Sequence, residues 1–386
     1  MYVLSGSNVH GQWPCAELFI SKFQDITLEG YNSSFKLKEA QLLCSNWSYN
    51  IFIFKDTFYL AGAWCGSDSA LTEVKLPDQL KCYKHTSLIL TGNDLKLYLI
   101  NKISYDIWLL NIEDVATWNW QYKKINTSED IFTNEQESPC KKPKTETVIV
   151  KAVPTPYSFI LLTSDGSIYD ALTKIDTSHC IGRVCDVDYG YEHGILLTDK
   201  GHIYTWGNGK RCQLGHGDLI TLEEPTEVEA LSGIRVIKIK AGGWHSLALS
   251  ESGDLYAWGW NDTGQLGIRR GDEKKEGLNS YPVPTLVELY DDEENVIETN
   301  VKDIACGSRH SAIVLEDNTV WTTGINKYGQ LGFDPEEIAK LDSFKKSFVC
   351  EFDASLQCGH WSTCVLSKDV VKKRIKIESV GWEVGQ

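Results

Sequence analysis

The chain has 386 residues, of which 42% are hydrophobic and 24% are charged, and its formal net charge is −15. This apolar content supports a large core and excludes a mostly disordered or coiled-coil protein. The negative charge disfavours broad adhesion to nucleic acid or anionic membranes, because phosphate binding depends on Lys and Arg. The first residues lack the features of a secretory signal and no stretch is long enough to span a bilayer, so we expect an intracellular protein.

Residues 1–186 carry weak copies of a hairpin repeat. One unit begins near Ser45, where Ser48 precedes Gly62 by 14 residues and a second strand ends in Tyr59-Leu-Ala-Gly62. Another begins near Lys96, and a third begins at Ser158. In each unit a short apolar run, a turn and a second apolar run predict two paired strands.

A polar segment rich in structure breakers separates the second and third weak copies. We predict that residues 126–147 form a flexible linker between blades. The segment contains Lys141-Lys-Pro-Lys144, a weak match to a nuclear-import signal.

Regular copies of the repeat occupy residues 187–366. Three copies begin with Gly-x-x-His before an apolar strand, pass through a tight turn into a second strand that ends in glycine, and close with Gln-Leu-Gly. A fourth begins in the same frame with Gly359-His-Trp-Ser362. The glycines predict positive φ angles or close backbone approach. The repeat positions expected to be structural are Gly190, His193, Gly207, Gly242, His245, Gly259, Gly307, His310, Gly324 and Gly359.

The insertion at residues 268–300 lengthens the spacing between two clear copies. We predict a charged loop, basic at its start and acidic at its end, and a solvated loop is the simpler interpretation. Alternatively, its basic part contacts DNA or an acidic histone surface and its acidic part contacts histone tails. The basic residues are Arg269, Arg270, Lys274 and Lys275.

Seven units, near residues 45, 96, 158, 193, 245, 310 and 362, predict an all-β fold. Units too small to bury their own faces fit a seven-bladed β-propeller that covers residues 1–386 as one domain. The last unit lacks its second half, and Gly6 and Gln12 have the spacing of Gly207 and Gln213. We therefore predict that N- and C-terminal strands share one blade, which leaves no open sheet edge.

The recurring histidines His193, His245 and His310 raise the question of a metal or catalytic site. Their recurrence favours a structural bond reused in each blade, and no Asp or Glu shares their frame to orient them. Adjacent His and Ser residues on a strand point to opposite faces and cannot form a nucleophile–base pair. We predict no catalytic residues, no metal, no cofactor and no enzymatic activity.

The variable position before each repeat histidine should project at one rim of the ring. The matched residues are Trp47, Glu192, Trp244, Arg309 and Trp361. Aromatic side chains with Arg are typical of protein interfaces, which favours a partner-binding rim. The alternative is that the Trp side chains pack between neighbouring blades.

Gly-x-x-His-Ser, Tyr-x-Trp-Gly and Gly-Gln-Leu-Gly together resemble the regulator-of-chromosome-condensation repeat. Residues 241–246, 258–261, 306–310 and 327–332 are similar to the small subfamily called regulator-of-chromosome-condensation domain-containing protein. The resemblance implies a monomeric, nuclear and chromosome-associated scaffold that binds a JmjC-type dioxygenase and is linked to histone methylation and chromosome segregation. It also allows contact with histones or nucleosomes and a cytoplasmic pool, without membrane binding or direct sequence-specific nucleic-acid binding.

The founding member of that family suggests a second function, guanine-nucleotide exchange on a small nuclear GTPase. Exchange requires a wedge that deforms the nucleotide site. The degenerate N-terminal half shows no recognisable wedge, so we place this function second.

Overall fold

Seven four-stranded antiparallel sheets account for the strands of the computed structural model, which describes residues 1–32, 34–63, 71–80, 83, 85–112, 117–124, 147–269 and 279–367. The first strand of each sheet lines a central channel, and the fourth strand lies at the outer edge. This arrangement confirms the predicted seven-bladed β-propeller. The described helical turns are short 3-10 turns at Leu37–Glu39, Asp78–Leu80, His85–Ser87 and Glu229–Leu231.

Blades 1 to 3 are the degenerate units, and each consists of four consecutive strands. Blade 1 contains β3 (Gln41–Ser45), β4 (Tyr49–Phe54), β5 (Thr57–Gly62) and β6 (Leu71–Glu73). Blade 2 contains β7 (Leu88–Gly92), β8 (Lys96–Asn101), β9 (Asp106–Asn111) and β10 (Gln121–Lys124). Blade 3 contains β11 (Ile149–Pro154), β12 (Phe159–Thr163), β13 (Ile168–Asp170) and β14 (Thr173–Ile175).

Blades 4 to 6 are the regular repeats. Blade 4 contains β15 (Val184–Tyr189), β16 (His193–Thr198), β17 (Ile203–Gly207) and β18 (Leu222–Glu227). Blade 5 contains β19 (Val236–Ala241), β20 (His245–Ser250), β21 (Leu255–Trp260) and β22 (Ser280–Leu286). Blade 6 contains β23 (Val301–Cys306), β24 (His310–Leu315), β25 (Thr319–Ile325) and β26 (Lys340–Val349).

Blade 7 closes the ring with strands from both ends of the chain. From the channel outward it contains β27 (Ala354–Cys358), β28 (Ser362–Ser367), β1 (Tyr2–Ser7) and β2 (Phe19–Asp25). β1 pairs with β28 from Tyr2 opposite Leu366 to Gly6 opposite Ser362. This pairing confirms the predicted closure, and it removes the unpaired edge that an open sheet would expose.

Apolar side chains from neighbouring blades meet to form the core. Leu247 and Leu249 of blade 5, for example, share a buried cluster with Ile304 and Ile313 of blade 6. Two outer strands also contain proline, Pro225 in β18 and prolines 282 and 284 in β22. Proline cannot donate to a further strand, so these outer edges are poor templates for pairing with another chain. No helix in the described ranges is long and apolar enough to cross a membrane.

The charged insertion differs from the expected single loop. Strand β22 lies within residues 268–300, because the fourth strand of blade 5 falls there. Arg269, at the basic start, pairs with Glu294, at the acidic end, at 2.9 Å. The other predicted basic residues of this loop, Arg270, Lys274 and Lys275, lie outside the described residues, as does the predicted linker except for residue 147.

Candidate functional site

The turn between the first and second strands has one geometry in all seven blades. The residue at the repeat-glycine position donates its N–H to the carbonyl of the residue at the repeat-histidine position. The seven pairs are Asn46–Tyr49, Asn93–Lys96, Thr155–Ser158, Gly190–His193, Gly242–His245, Gly307–His310 and Gly359–Ser362. This bond gives every blade the same frame, including the degenerate ones.

The two residues inside each turn form two rings at one end of the channel. The inner ring, defined by the first residue inside each turn, comprises Trp47, Asp94, Pro156, Tyr191, Gly243, Ser308 and His360. All of these except Trp47 line the channel. The outer ring comprises Ser48, Leu95, Tyr157, Glu192, Trp244, Arg309 and Trp361.

Trp47 belongs to the inner ring, one position earlier than the sequence frame placed it. Tyr49, and not Ser48, pairs with Gly62 and takes the histidine position. Blade 1 has neither the glycine nor the histidine that marks this turn in the regular blades, so its frame could not be fixed by those residues. The outer-ring residues Leu95 and Tyr157 were missed for the same reason.

The three repeat histidines are buried and link consecutive blades. Their Nε2 atoms lie 2.9 to 3.1 Å from a hydroxyl of the next blade, in the pairs His193–Ser246, His245–Ser311 and His310–Thr363. Each hydroxyl donates in turn to the carbonyl of the Gln-Leu-Gly glutamine of the preceding blade, so Nε2–H is the donor to the hydroxyl. Burial lowers the pKa of His193 and His310 to about 4 and that of His245 to about 3.

The repeat glycines are required for two different reasons. A Cβ at Gly242 would overlap the imidazole ring of His245, and Gly190 and Gly307 lie against their own histidines in the same way. Gly259 has φ of 102°, and a Cβ there would lie 2.6 Å from the Trp244 carbonyl oxygen. Gly207 and Gly324 have similar positive φ angles of 99° and 106°, whereas Gly359 faces the hydroxyls of Ser45 and Ser362 in place of a histidine.

The outer-ring aromatics pack between blades and remain partly exposed. The residue two positions before the repeat glutamine of one blade contacts the outer-ring residue of the next. Arg211 thus lies over Trp244 with 4.1 Å between the guanidinium carbon and the ring centroid, and the Tyr328 and Trp361 rings are 5.4 Å apart. Trp244 and Trp361 therefore pack between blades and are also partly exposed at the rim, so the two alternatives do not exclude each other.

The two charged outer-ring residues both have partners within the protein. Arg309 forms an ion pair with Asp262, so its charge is neutralised within the protein. Glu192 is exposed and accepts a hydrogen bond from Asn208 Nδ2 at 3.2 Å.

Aromatic contacts run continuously across this end of the ring. Trp47 meets Trp361 edge to face at 5.5 Å, Tyr191 stacks on His360 at 5.9 Å, and Tyr191 meets Trp244 at 5.1 Å. Exposed apolar side chains, Leu95 and Tyr157, occupy the corresponding turns of blades 2 and 3. We define the rim surface as Trp47, Leu95, Tyr157, Tyr191, Arg211, Trp244, Trp260, Tyr328, His360 and Trp361.

A polar cluster joins three blades at the channel mouth. The Tyr191 hydroxyl donates to Ser308 Oγ at 2.5 Å, and Ser308 Oγ lies 3.0 Å from His360 Nδ1. Burial lowers the pKa of His360. Ser308 is almost fully buried, with 3% of its surface exposed. The three residues of the cluster line a channel of about 720 Å³.

Ion pairs between first strands line the channel, and sequence reasoning did not find them. Lys151 of blade 3 pairs with Asp186 of blade 4 at 2.7 Å, and Lys240 of blade 5 pairs with Asp188 of blade 4 at 3.3 Å. Asp303 of blade 6 pairs with Lys238 of blade 5. The charge of Asp188 raises the pKa of Lys240. Within the described residues, no group of three or more His, Cys, Asp or Glu side chains could hold a metal ion.

Comparison with known families identifies the repeat. The family model "Regulator of chromosome condensation (RCC1) repeat" matches residues 200–249 and 252–314, and a second model of that repeat matches residues 184–212, 236–265 and 301–330. The chain carries RCC1 repeats. The matched residues lie in blades 4 to 6, where the glycine, histidine and glutamine markers are complete.

Two curated relatives share these RCC1 repeats. RCC1 domain-containing protein 1 of Mus musculus is 36% identical over 219 residues, which are 48% of this chain and 56% of the relative. RCC1 domain-containing protein 1 of Homo sapiens is 35% identical over 221 residues, which are 47% and 56% of the two chains. The chain thus spans about half the length of the curated relatives it matches.

Solved structures show the same RCC1-repeat fold. Yeast RCC1 (Prp20), solved in complex with Kap60, has a TM-score of 0.67 at 16% identity, and the match covers 97% of this chain and 91% of that one. Human WBSCR16 has a TM-score of 0.67 at 14% identity, with 95% and 99% covered. At these identities the likeness concerns the fold alone.

Proposed function

We propose that this RCC1-repeat propeller is a non-catalytic scaffold in chromatin regulation that binds a protein partner through the rim surface. The observation that carries the proposal is the exposure of apolar side chains in three successive blades at this end. Trp47, Leu95 and Tyr157 expose 40%, 57% and 81% of their surfaces. Apolar side chains grouped on one face of a folded protein are typical of interaction sites.

Leu95 and Tyr157 are mostly exposed and add little to the packing of the core. Tyr157 has most of its surface in solvent, and its backbone carbonyl lies 3.5 Å from the Tyr98 hydroxyl. Removing the Tyr157 or Leu95 side chain should therefore leave the fold intact. These two positions separate binding from folding better than Trp244, which packs against Arg211 and Tyr191.

For the partner we propose a JmjC-type dioxygenase, in a nuclear, chromosome-associated complex linked to histone methylation and chromosome segregation. The support is what the resemblance of the repeat motifs to the regulator-of-chromosome-condensation domain-containing subfamily implies. RCC1 domain-containing protein 1 is similar over about half of the chain. Chromatin proteins are also candidates, since the structure of Prp20p from Saccharomyces cerevisiae was described with its binding to Gsp1p and histones.

Affinity capture from nuclear extract with matched variants tests both parts. The chain with Leu95→Ser and Tyr157→Ser should lose a JmjC-type dioxygenase that the unmodified chain retains. Ile103→Ser is the control, because Ile103 is 51% exposed and lies beyond the opposite end of β8 from Leu95. Equal capture by all three proteins would contradict the proposal that the partner binds through the rim surface. If an unrelated protein is captured only when the rim surface is intact, the rim proposal holds and the proposal of a dioxygenase partner is wrong.

Guanine-nucleotide exchange is the alternative function, because the Prp20p structure was described with binding to Gsp1p. The test is release of labelled nucleotide from a small nuclear GTPase. We expect no acceleration by this chain. Clear acceleration that Leu95→Ser and Tyr157→Ser abolish would make exchange the better proposal.

A further inference from the structure

Arg211 lies between two indole rings at the edge of the rim surface. Its guanidinium carbon is 4.1 Å from the ring centroid of Trp244 and 5.0 Å from that of Trp260. Trp244 in turn meets Tyr191 edge to face, with an interplanar angle of 83°, so the ring under the guanidinium has a second aromatic contact. Aromatic rings on its faces hold a guanidinium in place and leave its N–H groups pointing outward in the plane.

The charge of Arg211 is not neutralised within the described part of the protein. Arg309, two blades further on, already has Asp262 as its partner. Arg211 makes no ion pair with any carboxylate of the described residues, and neither does its neighbour Lys210. Arg211 is half-buried and Lys210 is exposed. Two adjacent cations therefore remain available in a chain whose net charge is −15.

We propose that Arg211, held between Trp244 and Trp260, binds a carboxylate of an acidic segment of the partner protein. This inference rests on the proposed function, since it specifies the chemistry of the partner that the rim surface binds. The planar guanidinium fork matches a carboxylate with two parallel hydrogen bonds. An Arg flanked by aromatic rings is also a common energetic centre of protein interfaces.

The net charge of the protein disfavours non-specific binding of such a partner. At a distance the net charge of −15 repels a negatively charged segment, so the two local cations and the aromatic rings beside Arg211 set the orientation in which it binds. Nucleic acid is the less favoured anionic ligand. Its binding requires many neutralised phosphates, and the site offers two adjacent cations.

Fluorescence anisotropy at low ionic strength tests the proposal. The probe is a short fluorescein-labelled peptide of glutamates with spaced leucines, compared with the same peptide carrying glutamine at every glutamate. The unmodified chain should prefer the glutamate peptide. Arg211→Gln should weaken its binding at least about tenfold, and Arg211→Lys should bind with intermediate affinity because it keeps the charge and loses the fork.

Arg235→Gln is the charge-matched control. Arg235 precedes β19 at the opposite end of the blade, where its side chain is 60% exposed and lies 3.5 Å from Glu251. Its loss should not change peptide binding. The proposal is overturned if Arg211→Gln binds as well as Arg235→Gln, if the glutamine peptide binds equally well, or if a short duplex DNA is preferred.

The capture experiment distinguishes failure of this inference from failure of the proposed function. Suppose that the Leu95→Ser and Tyr157→Ser variant loses the partner while Arg211→Gln retains both partner and peptide. The proposal that the rim surface binds the partner then holds, and the proposal that Arg211 binds an acidic segment is wrong. If the Leu95 and Tyr157 variant retains the partner, the rim function is wrong whatever Arg211 does. Chemical shifts of the Trp244 and Trp260 indole N–H groups report whether the peptide binds at this site.

Discussion

At the scale of single residues, each repeat histidine determines which residue can stand three positions before it. A Cβ at Gly242 would overlap the His245 ring, and its nearest contacts are all ring atoms. Gly242→Ala should therefore cost about 1–3 kcal/mol of unfolding free energy, as overpacking does, and much less in a His245→Ala background. Urea denaturation of the two single variants and the double variant measures this coupling.

Gly259→Ala is the matched control for this coupling. Gly259 has positive φ, and its added Cβ would meet the Trp244 carbonyl and the His245 backbone, which no side-chain change removes. Its cost should be the same with and without His245→Ala. Equal costs of Gly242→Ala in both backgrounds would contradict the assignment of this glycine to the imidazole contact.

The buried histidines also determine how stability depends on pH. Their pKa values are lowered to about 4, 3 and 4 in the folded protein, against about 6.5 in the unfolded chain. Between these values the unfolded chain binds protons that the folded protein excludes. Their contribution to stability is therefore present above about pH 6.5 and is lost as pH falls towards the folded pKa.

A variant of the central histidine should change this pH dependence by one proton. Between about pH 6 and pH 4, His245→Gln should reduce the slope of unfolding free energy against pH by up to about 1.4 kcal/mol per pH unit. Urea denaturation at a series of pH values gives the slope. An unchanged slope would mean that His245 takes up its proton without unfolding.

At the scale of elements, the sequence predicted hairpins well where glycine and histidine mark the turn and less well where they do not. In blade 1 the same turn is made by Asn46 and Tyr49. The Tyr49 hydroxyl donates a hydrogen bond to the Asn93 carbonyl at 2.7 Å. This contact to the next blade could not be predicted from the repeat pattern. Several side chains are compatible with the backbone geometry of this turn. The sequence alignment of blade 1 was therefore wrong by one residue and placed Trp47 in the outer ring.

The channel ion pairs could not be predicted from the strands that carry them. Alternation along β15, β19 and β23 shows which residues share a face, but it does not give the register between first strands of neighbouring blades. That register places Asp303 beside Lys238 and within 2.9 Å of the Leu356 N–H, so one carboxylate contacts both neighbouring blades. Such contacts follow from the ring and not from any one hairpin.

Removal of the Asp303 charge should therefore destabilise the propeller strongly. The Asp303 side chain is 6% exposed, and Asp303→Asn leaves the Lys238 ammonium without its partner. We expect a loss of about 3 kcal/mol in unfolding free energy, with part of it recovered when Lys238→Met is added. Asp199→Asn is the control, since that side chain is 41% exposed in its pair with Arg183 and should cost less than about 1 kcal/mol. Similar losses at both sites would contradict the role given to the channel pairs.

At the scale of the whole molecule, the rim surface assembles residues that are distant in sequence. Tyr191 and His360 are 169 positions apart, yet their rings stack because blades 4 and 7 face each other across the channel mouth. The markers of the regular repeats pointed to Trp244 and Trp361. Leu95 and Tyr157 became recognisable once the seven turns could be superposed, because their own sequences carry no marker. All residues of the candidate site can therefore be identified only from the folded, closed propeller.

The closing seam between β1 and β28 offers a direct test of that ring. Ser367 N–H donates to the Met1 carbonyl and Ser7 N–H donates to the Trp361 carbonyl. In this register the odd-numbered residues of β1 form hydrogen-bonded pairs, so Leu4 and Cys364 face each other in a closer, non-hydrogen-bonded pair. Cα atoms in such pairs lie about 4.5 Å apart, within the range that a disulfide can bridge.

Leu4→Cys should therefore form a disulfide with Cys364 that locks the propeller closed. The bond would join the two ends of nearly the whole chain and restrict the unfolded state, so it should add up to about 4 kcal/mol to the unfolding free energy of the oxidised protein. Thermal unfolding of the same variant under oxidising and reducing conditions isolates this gain from the packing lost with Leu4. Leu4→Cys with Cys364→Ser should show no difference between the two conditions. An oxidised, cross-linked protein that unfolds at the same temperature as the reduced one would mean that unfolding does not require this seam to open.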